Sequence, residues 1–244
     1  VGKVARERRR DMWIATKVWA REQAEARKHL EQSLARLQTD YVDVIQSHIN
    51  FRDPNMEIFL EGFQKLQEQG KVGAYGVSTS DFDYLKAFNA DGGCATLQTD
   101  YSILNRTPED EIFPYCREQD IGVIVRGPLA MGILTGKFGP DSQFGEEDWR
   151  SRWQENSEER EQYLEDLDKV EQLRPLAQGR SLAQLALQFA MAHPAVSTVI
   201  PGARNVHQVR ENVAAARLAP LTEEERARID EITPPGGGRK IWPA

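Results

Sequence analysis

Six short apolar runs in this 244-residue sequence each end in a polar or turn-forming feature. These are Lys17, His48, Ser78, Gln98, Arg126 and the loop Pro201–Arg204. Singly, each has an ordinary reading. Lys17 ends its run at the surface, His48 is a satisfied core histidine, and Ser78 and Ser80 cap a following helix. Gln98 is a partnered buried amide, and Arg126 pairs with a carboxylate. Together they place polar groups at six successive ends on one rim, and consecutive strands bring Lys17 and His48 toward one site. A second signal is the stretch "VIPGARNVHQVREN". Its Pro-Gly turn leads into a helix starting near Asn205, with Arg204 at that start. Helix N-termini attract anions through free N–H groups and the helix dipole. Gln208, Glu211 and Asn212 fall on nearly one helical face. A phosphate at the helix start, with a polar ring system lying along that face, fits these residues. A capped surface helix also fits them.

The elements that must position these groups alternate in type. Met12–Val18 reads as a strand and Arg21–Leu37 as a helix. Val42–Ile49 is a strand, Met56–Gln69 a helix ending at Gly70, Val72–Ser78 a strand and Asp81–Ala90 a helix. Ala95–Tyr101 is a strand, Glu109–Gln119 a helix and Ile121–Arg126 a strand. A polar segment, roughly 138–158, precedes helices near Glu159–Leu173 and Ser181–His193. Val196–Pro201 is the last strand, followed by helices near Asn205–Ala215 and Leu221–Ile232, and 233–244 reads as a flexible tail. Strands alternating with helices signal parallel βαβ units in an α/β fold. No GxGxxG follows any strand, so the usual dinucleotide fingerprint of a doubly wound sheet is missing. The other choice is a (β/α)8 TIM barrel, whose site lies at the carboxyl ends of its strands. About six of its eight strands are present. The chain reads as a single barrel domain, 1–244. It opens inside an apparent helix end, so the missing pair is expected before Val1.

Composition excludes several classes. The net charge of -7 argues against nucleic acid and anionic membranes as partners. The basic cluster Arg8–Arg10 reads as a solvated helix end. No apolar run approaches the ~20 residues of a membrane span. Cys94 and Cys116 form no CxxC and suit a reducing, cytoplasmic compartment. His29, His48, His193 and His207 stand in no HExxH or zinc-finger spacing, so no metal is expected.

At this point the sequence resembles the aldo-keto reductase family. The markers "IATKV", "SLARLQTDYVDVIQSH", "YGVSTSD", "LQTDYSILNR", "VRGPLAMGILTGKF" and "VIPGARNVHQVREN" stand in family order and spacing over nearly the whole chain. The resemblance implies a (β/α)8 barrel that binds NADPH/NADP+ without a Rossmann domain and passes hydride between nicotinamide and the carbonyl of an aldehyde, ketone or keto-sugar. Of the family's catalytic Asp, Tyr, Lys and His, Lys17 matches the lysine and His48 the histidine. The lysine lowers the pKa of the proton-donating tyrosine, and the histidine orients the carbonyl and helps stabilise developing negative charge. Ser78 and Gln98 match the residues that hold the cofactor carboxamide. Arg126 stands where many members stack an aromatic ring, and Thr79 where an asparagine is common. Gly127, Pro128, Leu129, Ala130, Met131 and Lys137 match the loop around the pyrophosphate. Gly202, Arg204, Gln208, Glu211 and Asn212 match the adenosine end, with Arg204 as bidentate partner of a 2′-phosphate. The segment 138–158 matches a loop that covers the cofactor, and its "DWRSRW" (148–153) offers a further phosphate-binding arginine.

The family's aspartate and tyrosine precede the stretch matched by "ATK". No residue before Lys17 serves as that tyrosine, so the chain is expected to be N-terminally incomplete and inactive alone. Two further readings remain open. One is an NADPH-binding regulatory protein of the same fold with little turnover, as in potassium-channel β subunits; His48 favours the enzyme. The other is a TIM-barrel hydrolase, disfavoured because no pair of carboxylates stands at the strand ends.

Overall fold

A computed structural model describes residues 1–18, 23–48 and 56–241. The expected helix start at Arg21, the strand end at Ile49 and the last tail residues, 242–244, lie outside them. The elements are α1 (Gly2–Arg8), β1 (Ala15–Val18), α2 (Gln23–Leu37), β2 (Val42–His48), α3 (Met56–Glu68), β3 (Val72–Ser78), α4 (Phe82–Phe88), β4 (Thr96–Asp100), α5 (Ile112–Glu118), β5 (Gly122–Arg126), α6 (Arg152–Glu155), α7 (Ser157–Leu173), α8 (Leu182–Ala192), β6 (Val196–Val199), α9 (Val206–Ala215) and α10 (Glu223–Ile232). The six strands form one sheet in chain order, β1-β2-β3-β4-β5-β6. The pairs β1–β2, β2–β3 and β3–β4 are parallel. The order never reverses, so there is no switch point of a doubly wound sheet. What remains is the singly wound α/β sequence of a (β/α)8 barrel, with six strands described.

The described residues cluster into two compact units, 1–99 with 111–124 and 100–110 with 125–241. In the first unit the strands carry one apolar and one polar face. Ile45, Val77 and Leu97 are fully buried, and the Tyr75 ring lies among helix side chains, 6.1 Å from Phe63 and 6.4 Å from Phe88. Alternate positions of the same strands carry Lys17, Gln46, His48, Ser78, Thr96 and Gln98. In the second unit Tyr101, Leu134, Tyr163, Leu185 and Ile229 form the centre of the core.

Four expectations need correction. Residues 12–14 are not strand, and Trp13 is 89% exposed, while Ile14 and Val18 are buried. The Ile14 amide donates to the Asp43 side chain at 2.6 Å, so only its carbonyl, which accepts from Val44 N, bonds to the β2 backbone. Arg9 is not a solvated helix end. It donates to Asp43 Oδ2 and to the carbonyls of Met12 and Tyr41, with its side chain 12% exposed. The helix expected from Glu109 starts at Ile112, after a 3-10 turn over Thr107–Glu109. Glu109 is instead committed to Arg106 and the Tyr101 hydroxyl. The expected flexible tail is hydrogen-bonded as far as Arg239. Arg106 N donates to Gly237 O, Arg239 N to Leu104 O, and Arg239 Nη2 to Asp166 Oδ2 at 2.5 Å.

Candidate active site

The first unit gathers four of the predicted residues at strand ends. Strand register sets Lys17 beside Gln46, His48 beside Ser78 and Ser78 beside Gln98. Lys17 Nζ donates to Gln98 Oε1 at 3.1 Å. Gln98 Nε2 donates to Gln46 Oε1 at 3.0 Å, and Gln46 Nε2 to Thr96 Oγ1 at 3.2 Å. Gln46, Ser78 and Gln98 are buried, whereas Lys17 and His48 are exposed at the ends of their strands. Gln98 is thus both a partnered buried amide and a member of the polar row. His48 is not a core histidine.

The sequence reading missed Gln46 and Thr96. The period-two pattern held the signal, since 46 shares a face with 48, and 96 with 98. It missed Asp100 for the same reason. In the second unit Asp100 closes β4 beside Arg126, with Asn105 Nδ2 donating to its Oδ2 at 2.8 Å. Burial raises the Asp100 pKa even though Arg126, Asn105 and Lys240 oppose it. Burial lowers the Arg126 pKa, and Asp100 opposes that. Asp100 is thus the carboxylate whose charge acts on the Arg126 guanidinium.

After β5 the chain enters a left-handed run: Gly127 (φ 65), Ala130 (φ 48), Met131 (φ 55), Gly132 (φ 97) and Gly136 (φ 68). Two non-glycine residues in this region mark stored strain of the kind concentrated at ligand sites. Pro128 and Ala130 are buried, Leu129 and Met131 partly so, and Lys137 is exposed, with Nζ over the Phe138 ring at 4.7 Å. Arg150 reaches this run, Nη1 donating to Met131 O at 3.4 Å. The Arg150 guanidinium also forks onto Asp148 and holds that carboxyl down at about 2, with Arg204 contributing. Of the "DWRSRW" arginines, Arg150 lies against the left-handed run, while Arg152 pairs with Glu159.

The segment 138–158 is not merely polar. Phe138, Phe144, Trp149, Trp153 and Tyr163 of α7 form one ring cluster, Trp153 stacking on Tyr163 with centroids 5.0 Å apart. Trp153 is 2% exposed.

At α9 the Asn205 side chain caps the helix by accepting from Gln208 N. Gln208 Oε1 accepts from Arg204 N at 2.6 Å, and Asn212 Nδ2 donates to Gly202 O at 3.3 Å. Glu211 is held through its carbonyl, which accepts from Gln184 Nε2. Arg204 and Gly202 are exposed. The donor set is therefore two cationic arginines, a helix start of ten residues and a left-handed backbone run. These suit the phosphates of a dinucleotide. No group of His, Cys, Asp and Glu fit to hold a metal occurs among the described residues. No helix there is long and apolar enough to cross a membrane.

Known proteins resemble this chain in sequence and fold. The model of the aldo/keto reductase family matches residues 1–234. The chain is 31% identical over 246 residues to the uncharacterized oxidoreductase YqkF of Bacillus subtilis (strain 168), covering 96% of this chain and 78% of that protein. It is 32% identical over 197 residues to the NADH-specific methylglyoxal reductase of Escherichia coli (strain K12), covering 79% of this chain and 59% of the relative. A solved aldo/keto reductase from Klebsiella pneumoniae, in complex with NADP and acetate, superposes with a TM-score of 0.75 at 28% identity, covering 96% of this chain and 75% of that one. On the match over residues 1–234, together with the strand-end row that lies inside it, this chain belongs to the aldo/keto reductase family.

Proposed function

We propose that the protein is an NADPH-dependent oxidoreductase that reduces an aldehyde or ketone, keto-sugars included. The observation that carries this reading is the row Lys17, His48, Ser78 and Gln98 at the carboxyl ends of four adjacent strands. It sets an ammonium and an imidazole beside a hydroxyl and a buried amide. When bound, the cofactor supplies a hydride for the carbonyl carbon. Ser78 and Gln98 hold its carboxamide, and Arg126, steadied by Asp100, stands in place of the aromatic ring. Gly127, Pro128, Leu129, Ala130, Met131 and Lys137 surround the pyrophosphate. Gly202, Arg204, Gln208, Glu211 and Asn212 take the adenosine end.

His48 orients the carbonyl and stabilises negative charge growing on its oxygen. Lys17 favours the ionised form of the hydroxyl that protonates that oxygen. Tyr101, next after β4, is not that hydroxyl. Its phenol is buried and donates to Glu109 at 2.6 Å, and burial raises its pKa, the wrong direction for a donor.

Arg204 sets the choice of cofactor. A guanidinium on a 2′-phosphate forms charge-assisted hydrogen bonds that NADH cannot make. Titrating NADPH and NADH by nicotinamide fluorescence checks this. Arg204→Ala is expected to weaken NADPH by about tenfold or more and to leave NADH nearly unchanged. Equal loss of both would remove the 2′-phosphate assignment.

A further inference from the structure

The amide chain behind Lys17 has a fixed direction. A glutamine carboxamide can sit either way round, because its oxygen and nitrogen are nearly the same size, and only its partners decide. Lys17 carries an ammonium, which donates and cannot accept. The Gln98 atom facing Lys17 must therefore be Oε1. That turns Gln98 Nε2 toward Gln46, which must answer with its own Oε1. Gln46 Nε2 is then left to donate to the Thr96 hydroxyl. Gln46 is fully buried, so bulk solvent does not reach it.

The Gln46 side chain has to cross β3 to make that last bond. In the strand register Gln46 pairs with Gly76, and Gly76 with Thr96. A Cβ on residue 76 would overlap both the carbonyl and the hydroxyl of Thr96. The missing side chain at Gly76 leaves the lane through which Gln46 reaches Thr96.

We propose that Gln46 is a positioning residue for the cofactor's nicotinamide end. Anchored on Thr96, it fixes the Gln98 carboxamide so that its second N–H and the remaining lone pair of Oε1 stay available in one orientation. The donor capacity supports this: Gln98 Nε2 has two N–H groups and spends one on Gln46, and Oε1 has two lone pairs and gives one to Lys17. Among the described residues the Gln98 amide bonds to Gln46 and to Lys17, and Lys17 stands on an exposed strand end, so Gln46 is the buried half of its anchorage. The inference rests on the proposed cofactor reading.

The test compares two ligands that differ only by the nicotinamide riboside half: NADP+ and 2′-phospho-ADP-ribose. Binding of each to the full protein is measured by calorimetry for the wild type, Gln46→Leu, Thr96→Val and Thr96→Ser, with thermal melts run alongside. The expected result is that the wild type binds NADP+ more tightly. Gln46→Leu then loses about tenfold for NADP+ and nothing for 2′-phospho-ADP-ribose. Thr96→Val should share the loss, and Thr96→Ser, which restores the hydroxyl, should recover it. Unchanged NADP+ affinity in Gln46→Leu overturns the proposal, and so does equal loss for both ligands, which would mark a merely structural role. A wild type that binds neither ligand overturns the cofactor reading itself and this inference with it. Binding of 2′-phospho-ADP-ribose with no added affinity for NADP+ overturns only the inference.

Discussion

Gly127 is constrained twice. Its φ of 65° is left-handed, and a Cβ there would overlap the Asp100 carboxylate. An L-residue in that region costs roughly 1–2 kcal/mol before any clash. Gly127→Ala is therefore expected to lower stability by at least that much. Gly139→Ala, where a Cβ meets nothing within 4 Å, should stay within about 0.5 kcal/mol. Urea midpoints for the two variants check both. Individual residues were legible in the sequence wherever a polar group interrupts an apolar run, as Lys17, Ser78 and Gln98 do. They were not legible where the partner is far off in sequence. Arg9 reads as a surface charge until Asp43, 34 residues on, is seen accepting from it. Gln46 reads as one amide among many until Gly76 is seen to open its path to Thr96.

Elements were readable where local rules decide them. Strand β3 begins where the sequence places it, because Gly70 stops the preceding helix and an apolar run follows. Helix α8 shows the same local logic. Ser181 accepts from Gln184 N at 3.2 Å, and the Gln184 side chain answers by accepting from Ser181 N at 3.0 Å. This is a reciprocal capping box that satisfies two orphan donors. Gln184 also donates to Glu211 O, tying α8 to α9. Ser181→Ala is expected to cost about 1 kcal/mol. Gln184→Ala should cost more, since it removes the cap and the bond to α9 together. Chemical denaturation of the two variants gives the order. Local rules failed at the 3-10 turn over Thr107–Glu109, where Glu109 serves Tyr101 and Arg106 instead of a helix start.

At the scale of the whole molecule, the sequence revealed the barrel topology through its alternation of strands and helices and through the absence of a dinucleotide fingerprint. It did not reveal how the end of the chain is fastened. Arg239 meets Asp166, 73 residues earlier. Asp166 is 1% exposed in its side chain, and burial raises its pKa to about 6, although Arg239 and Lys169 oppose the shift. The ordinary value for an unfolded aspartate is about 4. Between those two values the folded state holds more protons than the unfolded one, so this group lowers stability as pH rises from about 4 to 6, and the cost is complete above 6. Asp166→Asn carries no such titration. Relative to wild type, its unfolding free energy should climb by roughly 1–3 kcal/mol between pH 4 and pH 7, read from thermal melts across that range. A flat difference would show that Asp166 titrates normally. Elsewhere burial pushes the Cys94 and Cys116 thiols up to about 12, so both stay protonated in this range.

The ring cluster of 138–163 has a consequence for binding thermodynamics. A segment of this length that ordered only on meeting a ligand would subtract its conformational entropy from the affinity. Here Trp153 is already packed between Phe144 and Tyr163, and the Tyr163 hydroxyl already donates to Gly139 O. The ordering is completed when the chain folds. A ligand bound against this stretch would meet a preorganised wall, and little of its affinity would be lost to arranging it.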